Sequence, residues 1–168
     1  MKQFYDYNRE AAVAYAKKWA LGRNPAYKDY ENLGGDCTNF ASQCLYAGSG
    51  VMNETKDVGW YYYSLNNRSP SWTSVKYFYK FLIDNNLGVG NKVGPFGEET
   101  ALKNLKIGDY IQLGNNKMGF YHTLIIVDFV EDEPIVASHS FDSYNRKLSS
   151  YNYGFLRGIT IKGVKTIY

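Results

Sequence analysis

Between Asn8 and Leu21 the apolar residues Ala12, Tyr15, Ala16 and Trp19 recur at helical spacing, with Asn8 placed as an N-cap and Gly22 as a stop. A second helix is predicted from Cys37 to about Tyr46, capped by Asp36 and ended by Gly48, with Cys37, Phe40, Ala41 and Cys44 on one face. A third begins after Ser74, carries Val75, Phe78, Phe81 and Leu82, and stops near Gly88. Residues 24–35 read as a turn-rich approach to the second helix. Residues 49–72 show no period and hold Trp60, Tyr61, Tyr62, Tyr63 and Trp72, which predicts a long aromatic loop. Glycines punctuate the chain from residue 88 to 97. Beyond Asp109 the β-branched and aromatic content rises, and Tyr110–Leu113, Tyr121–Val130, Ile135–His139 and Leu156–Ile161 read as strands. Helices followed by strands predict an α+β fold with an antiparallel sheet.

At 168 residues the chain is read as one domain, 1–168, large enough to bury a core without disulfides or a structural metal. The net charge of +3 is scattered, so neither a nucleic-acid stripe nor a polybasic membrane patch is expected. There is no 18-residue apolar run, which excludes a membrane-spanning helix. The polar start Met1–Tyr7 lacks the apolar stretch of a signal peptide. Aromatic residues make up 17% of the chain. Such a surplus suits a wet groove that stacks on sugars or peptides, or reflects composition alone.

With only two cysteines and two histidines, the search for chemistry is short. Cys37 follows Gly34-Gly35-Asp36 at a predicted helix start, where the helix dipole favours a thiolate. It is a candidate nucleophile, with a small buried hydrophobe as the plain alternative. Cys44 reads as the latter, and a bridge between two residues seven apart in one helix is geometrically poor. His122 opens the most apolar strand and could serve that thiol as base and then acid.

The third member depends on hairpin parity. A two- or four-residue turn within Glu131–Pro134, with Val130 opposite Glu133, places His139 opposite Leu124 and diagonal to His122. A three-residue turn instead places Asp142 opposite His122, and Asn145 is a remaining option. A zinc site has only the inventory of His122, His139 and a cysteine behind it, without CxxC or HExxH spacing, so no metal or cofactor is expected. The carboxylates Asp36, Asp57, Glu98, Glu99 and Asp109 have no positional reason to pair for glycoside chemistry. Nucleotide-binding glycine loops are absent from the sequence.

The segment Gly34-Gly35-Asp36-Cys37-Thr38-Asn39-Phe40-Ala41-Ser42-Gln43-Cys44-Leu45-Tyr46-Ala47-Gly48 resembles the nucleophile helix of the bacterial and phage "putative amidase" domain family of the papain-like superfamily. Asn24-Pro25-Ala26-Tyr27, Ser71-Trp72-Thr73, Gly108-Asp109-Tyr110-Ile111-Gln112 and Tyr121-His122-Thr123 are similar to that family's landmarks in the same order. The likeness extends more distantly to NlpC/P60 and CHAP peptidoglycan hydrolases. It implies a papain-like fold, with Cys37 as nucleophile, His122 as base and His139 as third member. It also implies metal-free cleavage of an amide in cell-wall peptidoglycan, by an N-acetylmuramoyl-L-alanine amidase or an endopeptidase. The papain-type glutamine six residues before the nucleophile is replaced by Glu31, and neither Tyr27 nor Tyr30 matches the NlpC/P60 tyrosine spacing. The backbone N–H of Cys37 is therefore the expected oxyanion donor.

Trp60, Tyr61, Trp72 and Tyr121 are expected to line the substrate groove, with core packing as the alternative. The partner is then peptidoglycan, without nucleic acid or membrane insertion, and the chain is expected to be a monomer. It would reach the wall as an endolysin released through a holin-type pore, or as the excised domain of a secreted autolysin. Rival functions are a cysteine hydrolase of some other amide and a non-catalytic wall-binding module.

Overall fold

A computed structural model describes residues 2–88 and 93–167. Its elements in chain order are β1 (Lys2–Tyr5), α1 (Arg9–Trp19), α2 (Cys37–Ser49), β2 (Tyr62–Ser64), β3 (Asn67–Arg68), α3 (Pro70–Thr73), α4 (Val75–Leu87), β4 (Gly94–Thr100), β5 (Tyr110–Asn115), β6 (Gly119–Val130), β7 (Glu133–Ser138), β8 (Ser143–Lys147) and β9 (Phe155–Ile167). The fold is α+β: among the described residues there are four α-helices and a seven-stranded antiparallel sheet ordered β1-β9-β5-β6-β7-β8, with β4 also pairing β9.

The helices begin where the sequence asks. Asn8 accepts from the Ala11 N–H at 3.0 Å and Ser74 from the Tyr77 N–H at 3.3 Å, each satisfying an orphan first-turn donor. α2 runs past the expected stop, because Gly48 is an interior residue and the left-handed cap is Gly50. Gly48 lies against Tyr7 so closely that a Cβ built there would sit 2.3 Å from the Tyr7 ring, which lets the start of α1 cross the end of α2. The expected aromatic loop contains the β2–β3 hairpin and the short α3. The glycine-punctuated stretch gives way to β4, and its residues 89–92 lie outside the described residues.

Alternation on the strands divides the core. One face of the sheet carries Tyr110, Ile125, Ala137, Ile159 and Ile161 and packs against Ala12 and Ala16 of α1, Phe40, Cys44 and Leu45 of α2, and Phe78 and Leu82 of α4. The other face carries Ile111, Leu113, Leu124, Ile126 and Val136 and is closed by Leu105 and Leu148. Asp109, fully buried, ties the layers by accepting from Arg9 at 2.7 Å and from the backbone N–H groups of Lys106 and Ile161. No helix among the described residues is long and apolar enough to cross a membrane.

Candidate functional site

Gly34 and Gly35 take φ of +102° and +107°, conformations that a Cβ would strain, and deliver the chain into the first turn of α2. Asp36 occupies the N-cap position without capping: its side chain bonds to no first-turn N–H of the helix. The carboxylate turns the other way and accepts from the Tyr30 N–H at 2.8 Å, from Asn39 Nδ2 at 2.9 Å and from the His139 ring. Among the described residues the Cys37 N–H then meets no acceptor, at the positive end of the helix.

The Cys37 side chain is 8% exposed. Burial pushes its thiol up, while the backbone N–H of Thr123 and the hydroxyl and N–H of Thr38 pull it down and the Asp36 charge pushes it up again. Cys44 is wholly buried in the core. His122 also lies 8% exposed, its ring 5.9 Å from that of Tyr151. Burial, and then the positive charge of Arg146, push its pKa down from 6.5 to about 4. At neutral pH the imidazole is uncharged. Neither of its ring nitrogens is hydrogen bonded within the described residues, so the lone pair of a base is uncommitted. Cys37 and His122 open onto one pocket of about 600 Å³, shared with Gly34, Gly35, Leu113 and Tyr121 and rimmed by Ser140, Phe141, Arg146, Tyr151 and Asn152.

His139 does not join them. The hairpin turn has two residues, one of the lengths the sequence left open, with Val130 opposite Glu133 and both Glu131 and Asp132 at positive φ. The pairing then slips by one residue between Ile126 and Asp128, so that Ile125 faces Ala137. This bulge reverses the parity. Carried on, the ladder sets His139 level with Thr123 and turns it to the helix-packed face, where it stacks on Phe40 at 4.1 Å. Its Nδ1 meets Asp36 Oδ2 at 2.5 Å and its Nε2 donates to the Trp19 carbonyl at 2.9 Å. Asp142 does not line the pocket either: it receives two hydrogen bonds from Arg23, at 2.7 and 3.1 Å.

Of the four aromatic residues expected at the groove, Tyr121 lines the pocket. Trp60 and Trp72 are fully buried and stack on each other at 4.7 Å. Their indole N–H groups donate to Ser42 and Asn39 of α2, both at 3.0 Å, so they anchor the back of that helix. Large apolar rings with one polar atom satisfy both demands there. Tyr61 is half-buried beside Tyr63 and bonds through its backbone to Ser69. A separate tyrosine-lined pocket collects Tyr27, Tyr46, Tyr62 and Tyr63.

Sequence reasoning missed Ser140, Arg146 and Tyr151. They stand on or beside β8, whose Ser-Tyr-Asn-Arg-Lys run lacks an apolar alternation, and no local signal marks them. Ser140 accepts from the Asp36 N–H at 3.0 Å and so fixes the entry to α2. Among the described residues no three His, Cys, Asp or Glu side chains gather as a metal centre.

The chain has relatives in Bacillus subtilis (strain 168). It is 34% identical over 148 residues to the uncharacterized protein YhbB of Bacillus subtilis (strain 168), covering 84% of this chain and 44% of that protein. It is 30% identical over 150 residues to the uncharacterized protein YjcM of the same strain, covering 83% of this chain and 32% of that protein. The chain therefore spans less than half the length of either relative. No solved structure gives a significant match. The family described as "Putative amidase domain" matches residues 6–161, nearly the whole chain, and the chain belongs to that family.

Proposed function

We propose that this domain hydrolyses an amide bond of bacterial peptidoglycan with Cys37 as nucleophile, in a papain-like arrangement of a nucleophile helix on an antiparallel sheet. The observation that carries the reading is the joint opening of Cys37, at an uncapped helix start, and an uncharged His122 onto one pocket. Family membership supports the amide as the bond type.

In this reading the Cys37 sulfur attacks the carbonyl carbon while its proton passes to His122, forming the S–C bond. The tetrahedral oxyanion is received by the unoccupied Cys37 N–H. Collapse breaks the C–N bond, and His122 hands its proton to the leaving amine. Water then adds to the thioester with its proton going to His122, and the sulfur leaves and recovers that proton. A buried thiol and an uncharged imidazole make the resting pair neutral. The thiolate is formed during attack rather than stored.

The bond between the muramoyl lactyl group and L-alanine is the favoured target, which makes the chain an N-acetylmuramoyl-L-alanine amidase acting at the cell wall. Digestion of purified Gram-positive peptidoglycan followed by mass spectrometry tests this. Free stem peptides beside intact glycan strands are expected. Cut cross-bridges or stems would reassign the domain to an endopeptidase, and an untouched wall would overturn the substrate class.

A further inference from the structure

The motif residues Gln112, Thr123 and Thr38 carry no role in the chemistry just described, yet all three are buried, and Thr38 lies against Cys37. Strand register makes Gln112 of β5 the direct neighbour of Arg157 on β9 and of Thr123 on β6. The Arg157 guanidinium lies between the rings of Tyr79, at 3.5 Å, and Phe120, at 3.8 Å. From there it gives two hydrogen bonds to Gln112 Oε1, at 2.9 and 2.7 Å. Gln112 Nε2 donates to the Val75 carbonyl at 2.9 Å and to Thr123 Oγ1 at 3.2 Å. Thr123 Oγ1 lies 3.0 Å from Thr38 Oγ1, which lies 3.8 Å from Cys37 Sγ.

The proton positions along this chain follow from what each group can do. A guanidinium only donates and a carbonyl only accepts, so Arg157 on one side and Val75 on the other fix the orientation of the Gln112 amide. Its N–H therefore points at Thr123. Thr123 Oγ1 accepts there, and among the described residues the one other oxygen its proton meets is Thr38 Oγ1. Thr38 accepts in turn, and its proton is left for the Cys37 sulfur. Successive donors polarise one another in the same direction.

We infer that Arg157, Gln112, Thr123 and Thr38 form a one-way hydrogen-bond relay that ends as a donor on Cys37 Sγ and favours its thiolate. They are positioning residues, and the inference rests on Cys37 being the nucleophile. The other charged or titratable groups facing the sulfur are Asp36, held by His139, and His122, Arg146, Tyr121 and Tyr151 around the pocket.

The test is the rate of Cys37 alkylation by iodoacetamide against pH, read by mass spectrometry of the Cys37 peptide, with Cys37→Ser as blank. Thr38→Val keeps the shape and removes the last donor. It is expected to react about tenfold more slowly below the midpoint, with the midpoint moved up and the high-pH plateau unchanged, as fits the loss of one hydrogen bond to a charged acceptor. Thr38→Ser restores the wild-type curve, and Thr123→Val moves the midpoint the same way by less. A Thr38→Val protein that reacts as fast as wild type or faster overturns the relay. A lowered plateau at an unchanged midpoint also overturns it, since that is a packing effect. Should Thr38→Val fail to fold, an unmoved midpoint in Thr123→Val is the overturning result. Alkylation needs no substrate, so failure of the relay is distinguishable from failure to cut peptidoglycan.

Discussion

His139 Nδ1 stands 2.5 Å from Asp36 Oδ2, with both side chains 1% exposed, directly beneath the first turn of α2. The far ring nitrogen is committed as a donor to the Trp19 carbonyl, so a proton must lie between Nδ1 and the carboxylate. The pair ties the end of α1, the end of β7 and the loop before α2 together. It sets where Cys37 sits without touching the pocket.

Removing His139 leaves a buried carboxylate short of its partner. His139→Ala is expected to lose on the order of 3 kcal/mol of stability in urea unfolding. His122→Ala, at a pocket wall with no hydrogen bond to lose, is expected to lose on the order of 1 kcal/mol while abolishing hydrolysis. Equal stability losses in the two variants would contradict this division of labour.

His122 also predicts a pH dependence of stability. Its pKa is about 4 in the fold and 6.5 when exposed, so the unfolded chain binds the proton first as pH falls. The contribution is complete above pH 6.5 and is lost as pH falls through about 4. Across that window wild type should lose on the order of 3 kcal/mol more than His122→Gln. Superimposable stability curves for the two proteins would show that the imidazole is not buried uncharged.

The same depressed value predicts where the acid limb of the proposed hydrolysis falls. If His122 is the base, kcat/KM should hold down to about pH 4, where the ring protonates, rather than fall near 6.5. An acid limb at the ordinary histidine value would contradict the buried placement.

Gly48→Ala tests the crossing of α1 and α2. Alanine is the better helix former by about 1 kcal/mol, but its Cβ would meet the Tyr7 ring and the Asn8 carbonyl at 2.3 and 2.8 Å. A net loss of roughly 1–3 kcal/mol is expected, seen as a lower urea midpoint with an unchanged slope. A stabilised variant would contradict the close approach.

Local chemistry made much of this legible in the sequence. Asn8 and Ser74 announced α1 and α4, and the glycine pair before Cys37 announced the start of α2. What escaped depended on distant packing. Gly48 reads as a stop until Tyr7 is seen lying on it. A turn within Glu131–Pro134 was readable, but its length and the bulge after Ile126 were not, and that single extra residue carried His139 away from His122 to the opposite face. Trp60 and Trp72 carry the same rings whether they line a groove or anchor a helix. Only the burial of both, with Ser42 and Asn39 as partners, decides it. Strands β1 and β8 were missed because short, exposed edge strands lack the alternation that marks a buried one.

The most direct measurement is release of soluble fragments from labelled peptidoglycan by wild type and by Cys37→Ala, each shown folded by circular dichroism. Release by wild type with at least a thousandfold loss in Cys37→Ala is the predicted result, on the order of what removing a covalent nucleophile costs. Fragment release by a folded Cys37→Ala protein at a rate close to wild type would contradict cysteine catalysis.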